Sequence, residues 1–401
     1  MSESPAIKQT SEPSETPLAG TTGGSSRVKL ADSSLRTYTM VLALVAVWII
    51  FALTTDGIFL EARNFSNLMR QATITGVLAV GMLMVIIAGQ IDLSVGSVVG
   101  LAGGVAAIAE AWLGWGLAPS VAMGVAVGLG VGALQGALVA YANIPAFIAT
   151  LGGLLAWRGA IKGISHGNTI PIGSQNFKAI GQSYLAPMVG TALAAVAVVV
   201  VIWLALQRSR RRKRHGLAPD TTLKVLMRAA VPAGLIVAFT VALNRYAGVP
   251  IPFVIFLVVA LLGVFLTQQT TFGRYLYAIG GNSDAARLSG INIRLHILAV
   301  FSLMGALAGL SSVIYTARVG SASPDAGRLL ELDAIAACVI GGASLMGGRG
   351  TVLGACLGAL FMASLDNGMS LKNYEDFTQD IVKGVILVLA VGLDMLGRRR
   401  K

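Results

Sequence analysis

The sequence predicts an all-α protein, a polytopic bundle of transmembrane helices. Three observations carry that prediction. Of the 401 residues, 55% are apolar and only 12% charged, whereas a soluble domain is about 25% charged. The 49 glycines follow no collagen period and suit membrane helices, where small residues let backbones approach. Apolar runs recur along nearly the whole chain, and a hydrocarbon core of about 30 Å takes about 20 helical residues. This composition excludes a soluble enzyme, a disordered chain and a secreted disulfide scaffold.

Residues 1–35 are rich in Ser, Thr, Pro and Glu without an apolar period; they read as a disordered cytoplasmic tail. Residues 36–397 form the transmembrane domain. About twelve spans are expected, at 37–54, 71–90, 96–112, 118–141, 145–163, 186–206, 224–243, 250–267, 295–316, 333–346, 350–369 and 379–396. Residues 111–157 hold no charge and are too long for one span; Pro145 supplies the break. The tenth span is short and Gly-rich, as a half-helix would be. Cys338 and Cys356 both lie in apolar runs and read as core. All five tryptophans fall toward span ends, which suits an interfacial belt or simple packing.

Orientation follows from the cations. The net charge is +12, but Arg208, Arg210, Arg211, Arg212, Lys213 and Arg214 fill one connector and Arg398, Arg399, Arg400 and Lys401 end the chain. Without these ten only +2 remains. Two basic patches beside apolar runs indicate anionic lipid headgroups on the inner face, not nucleic acid. The basic connector 207–223, the loop 268–294 and the C-terminus then lie inside, giving an N-in, C-in topology.

Few groups in this chain suit chemistry. No phosphate-binding loop occurs: the nearest glycine run, Gly347-Gly348-Arg349-Gly350-Thr351, lacks the lysine. Scattered histidines give no metal or catalytic constellation, so no cofactor or metal is expected in this chain. Energy for transport would come from a partner or from an ion gradient. Asp92 stands in a polar knot, Gln90-Ile91-Asp92-Leu93-Ser94-Val95-Gly96-Ser97. Gln90, Asp92, Ser94 and Ser97 either make a tight capping turn or line a translocation pathway at a broken helix; both readings stay open. Gly341, Gly342, Gly347, Gly348 and Gly350 are candidates for close helix contacts. Segments 87–101 and 340–355 share a loose glycine-rich theme.

Loop 268–294 is the most informative stretch. Gly280-Gly281 breaks the chain, Asn282 or Ser283 can cap a short helix, Asp284 suits its N-terminus and Gly290 can end it. Such a helix on the inner face serves either as a docking element or as a plain connector.

Four stretches resemble the integral membrane permeases of the ribose/xylose branch of ABC sugar importers. They are NFSNLMRQATITGVLAVGM (64–82), IDLSVGS (91–97), YAIGGNSDAARLSGIN (277–292) and the long run from Leu332 to Ser370. The likeness covers roughly residues 40–397 and is nearest the xylose type. An extra apolar pair with a basic connector, beside ten family-like spans, and the Ala88-Gly89-Gln90 that precedes IDLSVGS carry that likeness. The resemblance implies a permease translocating a monosaccharide, D-xylose first, with another sugar such as ribose as the alternative. It implies a cytoplasmic ATPase holding ATP and Mg, a periplasmic sugar-binding protein and a second permease copy. It also implies a coupling role for Asn282, Ala285, Ala286, Arg287 and Gly290. An ion-coupled secondary transporter would instead need a buried acid–base relay; a membrane enzyme would need an interfacial cluster of His, Asp or Lys.

Overall fold

The structure, a computed structural model, describes residues 25–214 and 221–399. Its fifteen described α-helices run α1 (Ser25–Thr54), α2 (Ala62–Ile87), α3 (Val95–Ala111), α4 (Leu117–Ala140), α5 (Ala146–Ile164) and α6 (Gln175–Gln182). They continue as α7 (Pro187–Arg214), α8 (Thr222–Asn244), α9 (Ile251–Gln269), α10 (Thr271–Gly281) and α11 (Ser283–Leu288). The last four are α12 (Ile293–Val319), α13 (Leu330–Ile340), α14 (Val352–Leu371) and α15 (Asp376–Arg399). Two short strands, β1 (Ile170–Pro171) and β2 (Ser321–Ala322), pair antiparallel with Ile170 opposite Ala322. Seven of the described helices are long and apolar enough to cross a membrane, and two shorter ones are apolar too.

A helix lies in each of the twelve apolar stretches, though α13 ends at Ile340 and leaves residues 341–346 of the tenth as turns; the other differences have physical causes too. Helix α1 starts at Ser25, so residues 25–35 are helical and not the disordered segment that their polarity suggests; Leu30, Ala31, Leu35 and Arg36 are good helix formers that extend the apolar helix backward. Residues 1–24, connector residues 215–220 and the terminal Arg400 and Lys401 lie outside the described residues. Helix α2 starts at Ala62, well before the polar run that looked like loop. Helix α6 was not foreseen; Ser174 caps it, its Oγ accepting from the Phe177 N–H at 3.3 Å.

The bundle is built around α2 and α12. Of α2's apolar window 89% is buried, against 6% for α7 and 11% for α8. The α7–α8 pair therefore packs chiefly on itself at the rim, while α2 touches α9, α12, α13 and α14. Helix α4 crosses α12 through glycines four apart. A Cβ at Gly128 would strike the Gly305 carbonyl, and one at Gly132 would lie 2.9 Å from the Gly305 Cα. Gly309 fits against the Gly124 carbonyl in the same seam. With lipid and side chains equally apolar, close backbone approach is what holds membrane helices together.

The tryptophans divide. Trp48 donates from Nε1 to Ser364 Oγ at 2.9 Å and packs edge-on against Phe59 and Phe65. Trp112 and Trp115 are exposed between α3 and α4, and Trp203 is exposed well inside α7, away from its ends. Cys338 is buried, with Sγ donating to the Ala79 carbonyl at 3.3 Å.

After α12 the chain turns inward. Residues 323–329 run without regular structure, partly buried, before α13 begins as a helix of 11 residues. Buried irregular backbone needs partners in an apolar bundle. Arg158 of α5 supplies them: its Nη1 donates to the Ala326 carbonyl at 2.6 Å and to the Pro324 carbonyl at 3.2 Å. Gly100 of α3 leaves room, since a Cβ there would press on the Ala326 carbonyl and on Arg158 Nη1. Nearer the surface, Lys162 meets the exposed Asp325 at 3.0 Å; its hydrogen bond and charge hold that carboxyl below the usual carboxylate range. Arg158→Ala should leave two buried carbonyls without a donor and cost about 3 kcal/mol or more. Thermal melts in detergent read that loss, and a reporter cysteine at Ser323 should become more reactive. Arg158→Lys should recover only part of it, because an ammonium lacks the guanidinium fork.

Candidate functional site

The segment from α10 to the start of α12 is organised by caps. Thr270 opens α10, accepting from the Gly273 N–H at 3.2 Å. Asn282 closes α10 and caps α11, its Oδ1 accepting from the Ala285 N–H at 2.9 Å. Arg287 pairs with Asp284 at 3.2 Å, both exposed. Gly290, with φ +81°, ends the turn, and Asn292 caps α12 through the Leu295 N–H at 3.1 Å. The short helix that the sequence pattern indicates is therefore present as Ser283–Leu288.

Of the five residues to which the resemblance gives a coupling role, four are on the surface and one is not. Ala286 is 4% exposed and turned into the chain, while Leu288 is 88% exposed. Asn282, Ala285, Arg287 and Gly290 are all exposed. The period of the helix decides this: Ala286 lies opposite Leu288, two residues on, because each residue advances by about 100°. A bulky residue at Ala286 would disturb the packing of this chain itself; Leu288 is the exposed apolar group of this short helix.

Beneath α11 three loops meet on bare backbone. A Cβ at Gly280 would overlap the Ile87 carbonyl and lie 2.7 Å from the Gly348 nitrogen. One at Gly347 would lie 2.9 Å from the Cα atoms of both Gly280 and Gly89. The Gly348 N–H donates to the Ile87 carbonyl at 2.9 Å, and Tyr277 Oη donates to the Gly350 carbonyl at 2.8 Å. Gly347 and Gly348 also have φ of +84° and +69°, which L side chains rarely adopt. The junction joins the end of α10 to the end of α2 and to the turn between α13 and α14. The glycine-rich segments 87–101 and 340–355 thus touch each other here. With no side chain between them, the three backbones must shift together.

The other glycines act differently. Gly341 packs against the Gly354 and Ala355 backbones of α14. A Cβ at Gly350 would lie 2.7 Å from Leu83 Cδ1. Gly342 has open space around it and makes no close contact; its φ of +88° is what requires glycine.

The knot at Asp92 is buried and satisfied largely within itself. Asp92 Oδ1 accepts from the Ser94 N–H at 2.8 Å and from Ser94 Oγ at 2.6 Å, forming an Asx turn just before α3. Ser94 Oγ lies 3.0 Å from Gln135 Oε1 of α4, and Ser97 Oγ donates to the Ser94 carbonyl at 2.7 Å. Ser94, not Asp92, occupies the N-cap position. Gln90 is half-exposed beside the turn.

One cluster escaped the sequence reading. Lys383 of α15 lies 3.3 Å from Asp333 of α13 and 2.8 Å from Asp366 of α14. It pins three helices through one ammonium. The available signal was Lys383 itself, a lone cation inside the apolar run of α15.

A bundle of membrane-length helices, with a short capped helix seated on one end, is the build of a membrane permease subunit. The chain matches the family of branched-chain amino acid transport system permease components over residues 64–211 and 221–391, and it belongs to that family. It is 47% identical to the xylose transport system permease protein XylH of Escherichia coli K12 over 391 residues, 97% of this chain and 99% of that relative. The Haemophilus influenzae XylH is 46% identical over 93% of this chain and 99% of the relative. The ribose import permease protein RbsC of Escherichia coli K12 is 34% identical over 88% and 92% respectively. No solved structure matches the chain. A permease component is one part of a transport system and not an enzyme; ATP hydrolysis belongs to a separate subunit.

Proposed function

We propose that this chain is the permease subunit of an ATP-driven ABC importer that carries a monosaccharide, D-xylose, across the bacterial inner membrane. The observation that carries the reading is the whole-length likeness to the xylose permeases, at 47% identity over 99% of the relative. The ribose permease is a more distant likeness at 34%. In a strain stripped of its own pentose transporters, the chain with its ATPase and binding protein should restore xylose uptake and not ribose uptake. Ribose uptake without xylose uptake would overturn the assignment.

The chain crosses the membrane about twelve times with both termini inside, a topology supported by the basic residues at the end of α7. Two copies pair, a cytoplasmic ATPase carrying ATP and Mg docks at α11, and a periplasmic sugar-binding protein docks at the opposite end. Closure of the ATPase pushes α11, and the glycine junction passes that displacement to α2 and to the α13–α14 turn. The Asp92–Ser94–Ser97 turn holds the start of α3 beside this moving end, and Gln90 faces the inner end of the pathway. Leu288→Asp places a charge where an apolar contact is expected. It should weaken ATPase binding by roughly 10-fold or more, measured by titrating the ATPase onto permease in nanodiscs. Unchanged binding would remove α11 as the docking element.

A further inference from the structure

The outer half of α2 carries a polar face that the transport machinery described so far does not use. Asn64, Asn67 and Gln71 stand at i, i+3 and i+7, so they share one side of the most buried helix. Asn64 and Asn367 of α14 exchange amide hydrogen bonds at 2.8 and 3.0 Å. Arg318, from the end of α12, donates from Nη2 to Asn67 Oδ1 at 3.4 Å. Arg70 lies with its guanidinium 5.5 Å from the centre of the Tyr184 ring, and its buried Nε has no hydrogen-bond partner.

Arg318 thus reaches α2 one turn before Arg70, which brings two guanidiniums to the same end of that helix. Neither forms an ion pair with a carboxylate among the described residues. Both are half-buried. The cluster lies about twenty residues along α2 from Ile87, hence about 30 Å from the glycine junction at roughly 1.5 Å per residue. It sits at the opposite end of the pathway.

Unpaired cations are costly inside a membrane bundle and mark a substrate route when they face its interior. We propose that Arg70 and Arg318, with Asn67, Gln71 and Tyr184, form the outer sugar-binding station of the permease. This rests on the reading of the chain as a monosaccharide permease. The amide oxygens of Asn67 and Gln71 already accept from Arg318 and from Asn367 Nδ2, each at 3.4 Å, so a sugar hydroxyl would accept from their amide N–H groups as well as from a guanidinium. A guanidinium fork spans two neighbouring hydroxyls, and Tyr184 offers an apolar edge to the ring carbons. A neutral polyol needs no counter-charge, and the double positive charge turns cations away. A carboxylate brought by the docking protein is the rival occupant. It would accept from the guanidiniums and the amide N–H groups but would give the Tyr184 ring no apolar partner.

The test uses the whole complex in proteoliposomes: permease, ATPase and xylose-loaded binding protein. Arg318→Gln should lower xylose uptake by about 10-fold or more, the loss expected for one hydrogen bond to a charged donor. Binding-protein affinity for permease nanodiscs and stimulated ATP hydrolysis should stay near wild type, so ATP consumed per sugar rises. Arg318→Lys should be impaired as well, because it keeps charge but lacks the fork. If Arg318→Gln does not give a monodisperse complex, Arg70→Gln carries the same test, since that side chain makes no hydrogen bond among the described residues. Docking weakened by glutamine and restored by lysine would assign the pair to a partner carboxylate and overturn the proposal. Unchanged uptake would overturn it too. A wild-type complex that moves no monosaccharide would refute the permease reading itself, and the station with it.

Discussion

Gly305→Leu is expected to abolish the folded permease. Gly305 of α12 faces Gly128 and Gly132 of α4, and a Cβ at Gly305 would overlap the Gly128 carbonyl and lie 2.8 Å from the Gly132 Cα. These neighbours are backbone atoms in two long helices, so no rotamer change can make room. Overpacking a core costs typically 1–3 kcal/mol and occasionally more; at a backbone-to-backbone seam the upper end, about 3 kcal/mol or more, is expected. The readout is the yield of monodisperse protein from membranes and its thermal midpoint in detergent. Gly130→Leu on the same α4 is the control. Nothing lies within 4 Å of a Cβ there, and an exposed substitution should shift stability by no more than about 0.5 kcal/mol. Equal yields for the two variants would show that the α4–α12 seam is not held by close approach.

Gly280→Val should leave the bundle inserted and uncouple it. The new side chain would have to displace the Ile87 carbonyl and the Gly348 nitrogen, lifting the coupling segment from the ends of α2 and α13. A cost of about 1–3 kcal/mol on the coupled arrangement is a roughly 5- to 150-fold shift in the equilibrium between its states. Sugar uptake by the reconstituted complex should fall by that order. ATPase binding should persist, because the exposed face with Leu288 is unchanged. Gly281→Ala, one residue on, meets nothing within 4 Å and should transport normally. Normal transport by Gly280→Val would mean that force reaches the helices by a route other than the glycine junction.

Legibility in the sequence followed the range of the interaction. Class, helix positions and the caps at Asn282 and Gly290 were legible, because hydropathy and capping are set by residues a few positions apart. The start of α2 was not. Asn64, Asn67 and Arg70 read as a loop until Asn367 and Arg318 are seen to meet that face across the bundle. Lys383 likewise looks like a stray charge until Asp333 and Asp366 arrive from two other helices.

By itself, then, the sequence determined that this is a mostly helical membrane protein, where its long apolar helices lie and that a short capped helix interrupts them. Tertiary structure alone decided that Ala286 faces in while Leu288 faces out, that Arg158 holds the irregular 323–329 stretch, and that Gly89, Gly280, Gly347 and Gly348 share one junction. The reason is physical. In a soluble protein, polarity separates the buried face of a helix from the wet one. In a bilayer both the lipid and the protein interior are apolar, so hydropathy marks a helix without saying which side is inside, and only the packed bundle does.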